Sequence, residues 1–260
     1  RRIHLSAPNR SSTGLTHMAS FRNLKTSTKI SVVLQYMRIN LKIVFGKKAL
    51  WFLAGTIVYV IALCVIAANS DDGFTIGQAL PLIVWIPLTL IAVFFSMDII
   101  SREREANLIE TLFTVSVSVY RLWIIKFTTL MCCLTALALA LIVTVDLFVV
   151  DLPIWLTMVN VLPPILFFAS LTMLFSVMFK SSNAAGMCVA AILALVMLMS
   201  EGISTTIVHP FLNPFEKPVN QESFIWIRSV VYNKIAYTLF GGVWFWRALR
   251  WLDRRERLLK

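Results

Sequence analysis

Five stretches of this chain, 49–68, 73–97, 127–145, 152–179 and 181–200, contain no charged side chain over 19 to 28 residues each. A helix rises about 1.5 Å per residue, so ~20 residues cross the ~30 Å of hydrocarbon in a bilayer. Each run therefore reads as a transmembrane helix. Composition agrees: 58% of the 260 residues are apolar, 14% are charged and the mean hydropathy is +0.81. A soluble domain of this size needs more charge than that to wet its surface. Pro81 and Pro87 lie inside the second run, and the pair Pro163 and Pro164 is expected to kink or break the fourth.

A sixth span is weaker, because only 235–246 is free of charge. Lys234 at one end, and Arg247 and Arg250 at the other, are expected to snorkel to the interfaces. With six spans, Lys and Arg divide between alternate loops as 21 on one side and three (Lys217, Arg228, Lys234) on the other. The positive-inside rule then places both termini in the cytoplasm. Trp51, Trp123, Trp155 and Trp251 fall near span borders, where interfacial anchors belong.

The net charge of +11 is concentrated beside apolar runs, a juxtamembrane pattern that argues for a lipid bilayer partner and against nucleic acid. Cys64, Cys132, Cys133 and Cys188 all lie within apolar runs and show no disulfide or metal spacing. His4, His17 and His209 have no second ligand nearby in sequence, so no metal site is expected. Residues 1–27 form a basic N-terminal segment, read as disordered, as a targeting peptide or as an addition from cloning. Residues 1–17 are left out of the fold, and 28–260 is read as one transmembrane domain.

Two flanking pieces add detail. In the stretch 30–45, Leu34, Met37, Leu41 and Val44 share one helical face, with Gln35, Arg38 and Lys42 on another. This is an amphipathic helix for the cytoplasmic interface. The loop 98–121 joins spans two and three. There Ser101 is placed to cap a short helix carrying Arg102, Glu103, Arg104, Glu105 and Glu110, with Leu108, Ile109 and Leu112 as its apolar stripe. Such a helix suits docking in a groove of a soluble protein, and a solvated connector is the alternative.

The run from Ile100 to Phe113, with Tyr120 to Phe127 after it, resembles the cytoplasmic signature of type-2 ABC exporter permeases, in which an S-R-E-R-E-x-G-T-L-E-x-L-L helix leads through a T-P-V-S turn into a third span opening with G-K. Arg102, Glu103, Arg104, Glu105 and Glu110 fall on matching positions. The stretch from Asn213 to Lys217 and the tail from Trp251 to Leu259 are similar to that family's C-terminal portion. Asn107, Ser116 and Ile125 depart from it, standing where the family has Gly, Pro and Gly.

The resemblance implies an all-α permease of six transmembrane helices behind an amphipathic interfacial helix, in a bacterial cytoplasmic (inner) membrane. It implies a homodimer of permeases and a separate ABC ATPase subunit that holds ATP and Mg²⁺, with no cofactor in this chain. Ser101, Arg102, Glu103, Arg104, Glu105 and Glu110 would meet that ATPase, whose closure would tilt the spans. The residues themselves are compatible with this division of labour. There is no Gly-rich phosphate loop ending in Lys-Ser/Thr, and spans one, two, four and five lack the ionisable groups of an ion-coupled carrier.

A membrane anchor or assembly factor, and an intramembrane enzyme, are the competing classes. The latter would need convergent polar chemistry, whereas Asp98 and Asp146 fall toward opposite faces. Ala185, Gly186, Ala190 and Ala194 offer a small-residue surface for packing within the subunit or between copies. The external loop 201–233 is too apolar to lie free, and is expected to dip into the outer leaflet or cap the exit.

Overall fold

The computed structural model describes residues 51–69, 74–105, 119–179, 181–203, 206–218 and 222–253. Among these residues every regular element is a helix. Helix α1 spans Trp51–Asn69. Helix α2 is continuous through Ile76–Ala79, a π-helical turn Leu80–Trp85, and Ile86–Glu105. Helices α3 (Val119–Phe148), α4 (Ile154–Met178) and α5 (Ser182–Leu198) follow, then the single turn Ser200–Ile203 and the long α6 (Ser223–Asp253).

Four helical stretches are long and apolar enough to cross a membrane: Trp51–Asn69, Ile76–Ile99, Trp123–Phe148 and Ile154–Met178. By length and composition they mark an integral membrane protein. The expected fifth and sixth spans form helices of a different kind. At 17 residues α5 covers about 26 Å, and the 31 residues of α6 carry Arg228, Lys234, Arg247 and Arg250. The amphipathic stretch 30–45 lies outside the described residues.

At the centre is α4, packed against α2, α3, α5 and, most extensively, α6. The expected break at Pro163 and Pro164 does not occur, and both residues sit inside an uninterrupted helix with buried side chains. Each proline removes one N–H from the ladder, so the Val159 and Asn160 carbonyls lose their usual donors. Packing on several sides makes up for the two missing bonds, and the helix continues. Proline acts differently in α2. There Ile86 N–H bonds to Pro81 O, one residue further back than in an α-helix, immediately before Pro87. A proline ring clashes with the carbonyl four residues earlier, and the widened turn relieves that clash.

Helices α2 and α4 run parallel. Ser176 Oγ of α4 donates to Met97 O of α2 at 3.0 Å, and Phe211 bridges Trp85 and Phe168 nearer their beginnings. Uncharged polar side chains survive in the apolar helices by bonding back one turn. Thr129, Thr157 and Thr172 each donate to the carbonyl four residues earlier, at 2.7–3.0 Å.

Small residues set the closest approaches, as expected where lipid supplies little hydrophobic drive between helices. A β-carbon on Gly186 would collide with Met97 Sδ, so this part of the small-residue surface of α5 packs within the subunit. Ala185 is buried with it, while Ala190 and Ala194 are exposed. A β-carbon on Gly241 would fall 3.1 Å from Leu166 Cγ and 3.3 Å from the Leu166 and Phe167 backbone. Gly242 next door faces open space.

Two border assignments change. Trp51 and Trp155 are exposed like interfacial anchors, but Trp123 is buried in the core, with Lys126 Nζ 5.0 Å from its ring centre. No helix begins after residue 101, because α2 runs through that position without interruption to Glu105.

Gly241→Ala is expected to destabilise the bundle by about 1–3 kcal/mol, because the backbone it meets cannot step aside. Gly242→Ala should be neutral or stabilising by up to ~1 kcal/mol, from helix propensity alone. Thermal unfolding in detergent reads the difference. Equal losses at the two positions would place the α4–α6 contact elsewhere.

Candidate functional site: a cavity beneath the cap segment

Residues 206–218 form an irregular segment that enters the bundle between α2, α4 and α6. His209, Phe211, Leu212 and Asn213 are all buried. The Phe211 ring lies 5.4 Å from Trp85 and stacks on Phe168 at 5.8 Å. Phe168 is fourteen residues into α4 from Ile154, so Phe211 reaches roughly 21 Å along that helix. Leu212 packs with Trp226 and Val230 of α6. Of the stretch 201–233, expected to dip into the outer leaflet or cap the exit, 206–218 folds into the helix bundle and the part from Ser223 onward is helical.

The segment passes from exposed at Ile207 and Val208 to buried at His209 and Pro210, and buried backbone carbonyls must find donors within the protein. Three side chains of α6 supply them to four successive residues. Asn233 Nδ2 donates to Ile207 O and to His209 O, the latter at 2.9 Å. Tyr237 OH donates to Val208 O, and Lys234 Nζ reaches Pro210 O at 3.5 Å. Lys234 thus does not snorkel. It is 6% exposed, held under the segment with Nζ 5.7 Å from the Trp85 ring centre. Arg250 is exposed, with its guanidinium 5.0 Å from the Trp246 ring centre.

The segment borders a half-open cavity of about 640 Å³ with α2, the end of α5 and the start of α6. Trp85, Phe211 and Trp226 supply aromatic walls, with His209 and Asn213 beside them. Glu216 and Lys217 stand at an exposed rim, where the Glu216 carboxylate fills the space a β-carbon on Gly77 would need. Lys217 Nζ donates to Ser223 Oγ at 3.1 Å. Asn213 Oδ1 accepts the Phe215 N–H at 3.1 Å, while its Nδ2 has no partner.

Neither nitrogen of His209 completes a hydrogen bond among the described residues. Burial pushes its imidazole below the ordinary histidine pKa. The Phe211 backbone opposes that shift, and the Lys234 charge adds to it.

Sequence reasoning missed most of this site. The run from Asn213 to Lys217 stood out only as a family resemblance, and Trp85 was hidden in an apolar run. The residues it singled out lie elsewhere: 101–105 form the far end of α2, and Glu110 lies outside the described residues. Asp146 caps a turn, its Oδ1 accepting the Leu152 N–H at 2.7 Å. Among the described residues no three His, Cys, Asp or Glu side chains are grouped to hold a metal ion. No protein-family model, curated protein or solved structure matches the chain.

Asn233→Leu removes the side-chain donor shared by the Ile207 and His209 carbonyls, the second of which keeps the Leu212 N–H at 3.3 Å, and should cost about 1–3 kcal/mol in all. Thermal stability should fall, and limited proteolysis should cut 206–218 more readily than in the wild type. His209 supplies a pH dependence. Its folded pKa lies below the ordinary ~6.5, so the unfolded state binds the proton more readily. The stability it contributes is complete above ~6.5 and falls as the pH drops from there toward the folded value. The melting temperature should therefore be lower at pH 5.5 than at pH 7.5, by a margin that shrinks in His209→Phe.

Proposed function

We propose that this chain is the membrane-spanning permease subunit of an ATP-driven ABC exporter. ATP and Mg²⁺ are held by a separate ATPase subunit, and two permeases pair in a bacterial cytoplasmic membrane. On this reading α5 and α6 complete six spans, and both termini face the cytoplasm. The 21-to-three division of Lys and Arg between alternate loops supports that topology.

One observation carries the mechanical part of the reading. The sequence Ser-Arg-Glu-Arg-Glu at 101–105 is the last turn and a half of α2 itself. A push delivered to those charges would act on about 30 Å of uninterrupted α-helix, Ile86–Glu105, with no hinge of loop between the docking surface and the span. The ATPase would engage Ser101, Arg102, Glu103, Arg104 and Glu105, with Glu110 beyond them, and tilt α2 against the central α4.

The test is charge reversal. Glu103→Lys with Glu105→Lys places like charges against a docking surface, which can cost several kcal/mol. An isolated exposed charge contributes no more than ~1 kcal/mol. The expected result is normal membrane insertion with lost ATPase co-purification or lost substrate-stimulated hydrolysis. Normal values for all three would sink the coupling role.

Topology is tested separately, by cysteine labelling on a background without native cysteines. Asn107→Cys and Leu258→Cys should react only from the cytoplasm, Asp72→Cys and Asn220→Cys only from outside. External labelling at 258 would remove the sixth span.

A further inference from the structure

Helices α1 and α2 leave an apolar groove of about 430 Å³ between them. Thr56, Pro87 and Ile91 are buried in its lining, while Trp51, Tyr59 and Leu90 are exposed. From Trp51 to Tyr59 the groove follows α1 for about 12 Å. Gly55 helps to keep it open, since a β-carbon there would meet no atom within 4 Å.

The hydroxyls in its wall are already used within the protein. Thr56 Oγ1 donates to Phe52 O at 2.9 Å, and Tyr59 OH donates to Leu82 O at 3.0 Å. The π turn is what frees that carbonyl. It sends the Ile86 N–H to Pro81 O, and Pro87, next in line, has no N–H to give. Apart from the Trp51 indole, the rest of the lining is hydrocarbon. Water held there would lack the polar partners it needs, and an empty groove would forfeit the contacts of its walls.

Two observations identify what fills it. The groove is continuous with the apolar surface of α1, where Val58 and Ala62 carry the face of Gly55 onward and are exposed. Helix α1 is one of the four that are fit to cross the bilayer, so the medium at the mouth is lipid hydrocarbon. At the Trp51 end the charge is positive. Lys47 and Lys48 precede Trp51 by four and three residues, so the length of the chain alone keeps both within about 14 Å of it. Hydrocarbon along the groove and positive charge at its end complement an anionic phospholipid.

We propose that the α1–α2 groove holds one acyl chain of an anionic bilayer phospholipid, whose phosphate lies at the Trp51 end within reach of Lys47 and Lys48. The binding needs no ATPase subunit, so it stands or falls independently of the transport reading.

The experiment uses the full chain in phosphatidylcholine nanodiscs doped with a probe lipid that carries a diazirine midway along one acyl chain. The probe is either phosphatidylglycerol or phosphatidylcholine, and peptide mass spectrometry locates the adducts after irradiation. Phosphatidylglycerol adducts are expected on 51–59 and 86–91, at least about fivefold above those on exposed Leu239 and Val243 of α6. They should also exceed the phosphatidylcholine adducts in the groove by at least about fivefold. Gly55→Leu fills the groove from a position that meets no neighbour, and it favours the helix. It should lower the groove adducts about tenfold and leave those on α6 unchanged. Lys47→Gln with Lys48→Gln should abolish the preference for phosphatidylglycerol.

Adducts spread evenly over the exposed helix faces would reduce the finding to a general lipid shell and overturn the proposal. So would groove adducts that persist in Gly55→Leu, or equal labelling by the two probes. Labelling of α6 with none in the groove would mean that a second copy or another segment covers it, and the proposal would fail. If Gly55→Leu misfolds, as its melting profile would reveal, the probe comparison and the lysine variant still decide.

Discussion

Four consecutive carbonyls, from Ile207 to Pro210, hang on three side chains of α6, and the architecture of one end of the bundle depends on that arrangement. An irregular backbone pays heavily for entering an apolar interior unless its polar groups are met. Asn233, Lys234 and Tyr237 meet them, which lets Phe211 stack between Trp85 and Phe168. Without those donors 206–218 would have to rise toward solvent, and the aromatic floor of the cavity would have no third wall. Lys234, one of the charges that lower the hydropathy of α6, thus takes part in holding the segment.

That dependence in turn places a demand on α4. The helix that receives Phe211 is also the one against which α2, α3, α5 and α6 pack, and it carries two adjacent prolines. In lipid, association rests on close van der Waals fit, so the glycine contact from Gly241 to Leu166 and Phe167 fixes α6 against α4 just beyond the prolines. With α6 fixed there, Tyr237 packs edge-on against Phe167 at 5.0 Å, and its hydroxyl is delivered to Val208 O. Backbone fit and cap docking are one problem solved by one helix pair.

How much of this the sequence carries depends on the range of each signal. The four long spans are legible because twenty uncharged apolar residues are a cumulative signal that no single side chain reverses. Residue-level placements are less so. Lys234 beside an apolar run reads as a border charge, and only the return of a segment 24 residues earlier explains why it is buried. Trp123 reads as an anchor by position, yet α3 presents it to the core. Ser101 has the chemistry of a cap, but nothing before it stops α2. His209 has no neighbour in sequence to suggest a site. Its companions come from α2, α6 and the Asn213–Lys217 run, which only the fold brings together.

Helix α2 joins the two regions of interest. Its far end carries the charged run, and its near end contributes Trp85 to the cavity wall. Between them the ladder is regular except at the π turn before Pro87. A π turn and a proline together remove α-helical hydrogen bonds at one level, making it the most deformable point of an otherwise rigid rod. On the proposed reading, displacement applied at 101–105 travels unchanged up to Pro87. There it is resisted by Phe211, wedged between Trp85 and Phe168. Tilting α2 against α4 would therefore disturb the Trp85–Phe211–Phe168 contacts, and Trp85 and Phe211 both border the cavity. On that reading, coupling between the two ends would require no separate relay, since the helix that would receive the push also contributes Trp85 to the cavity.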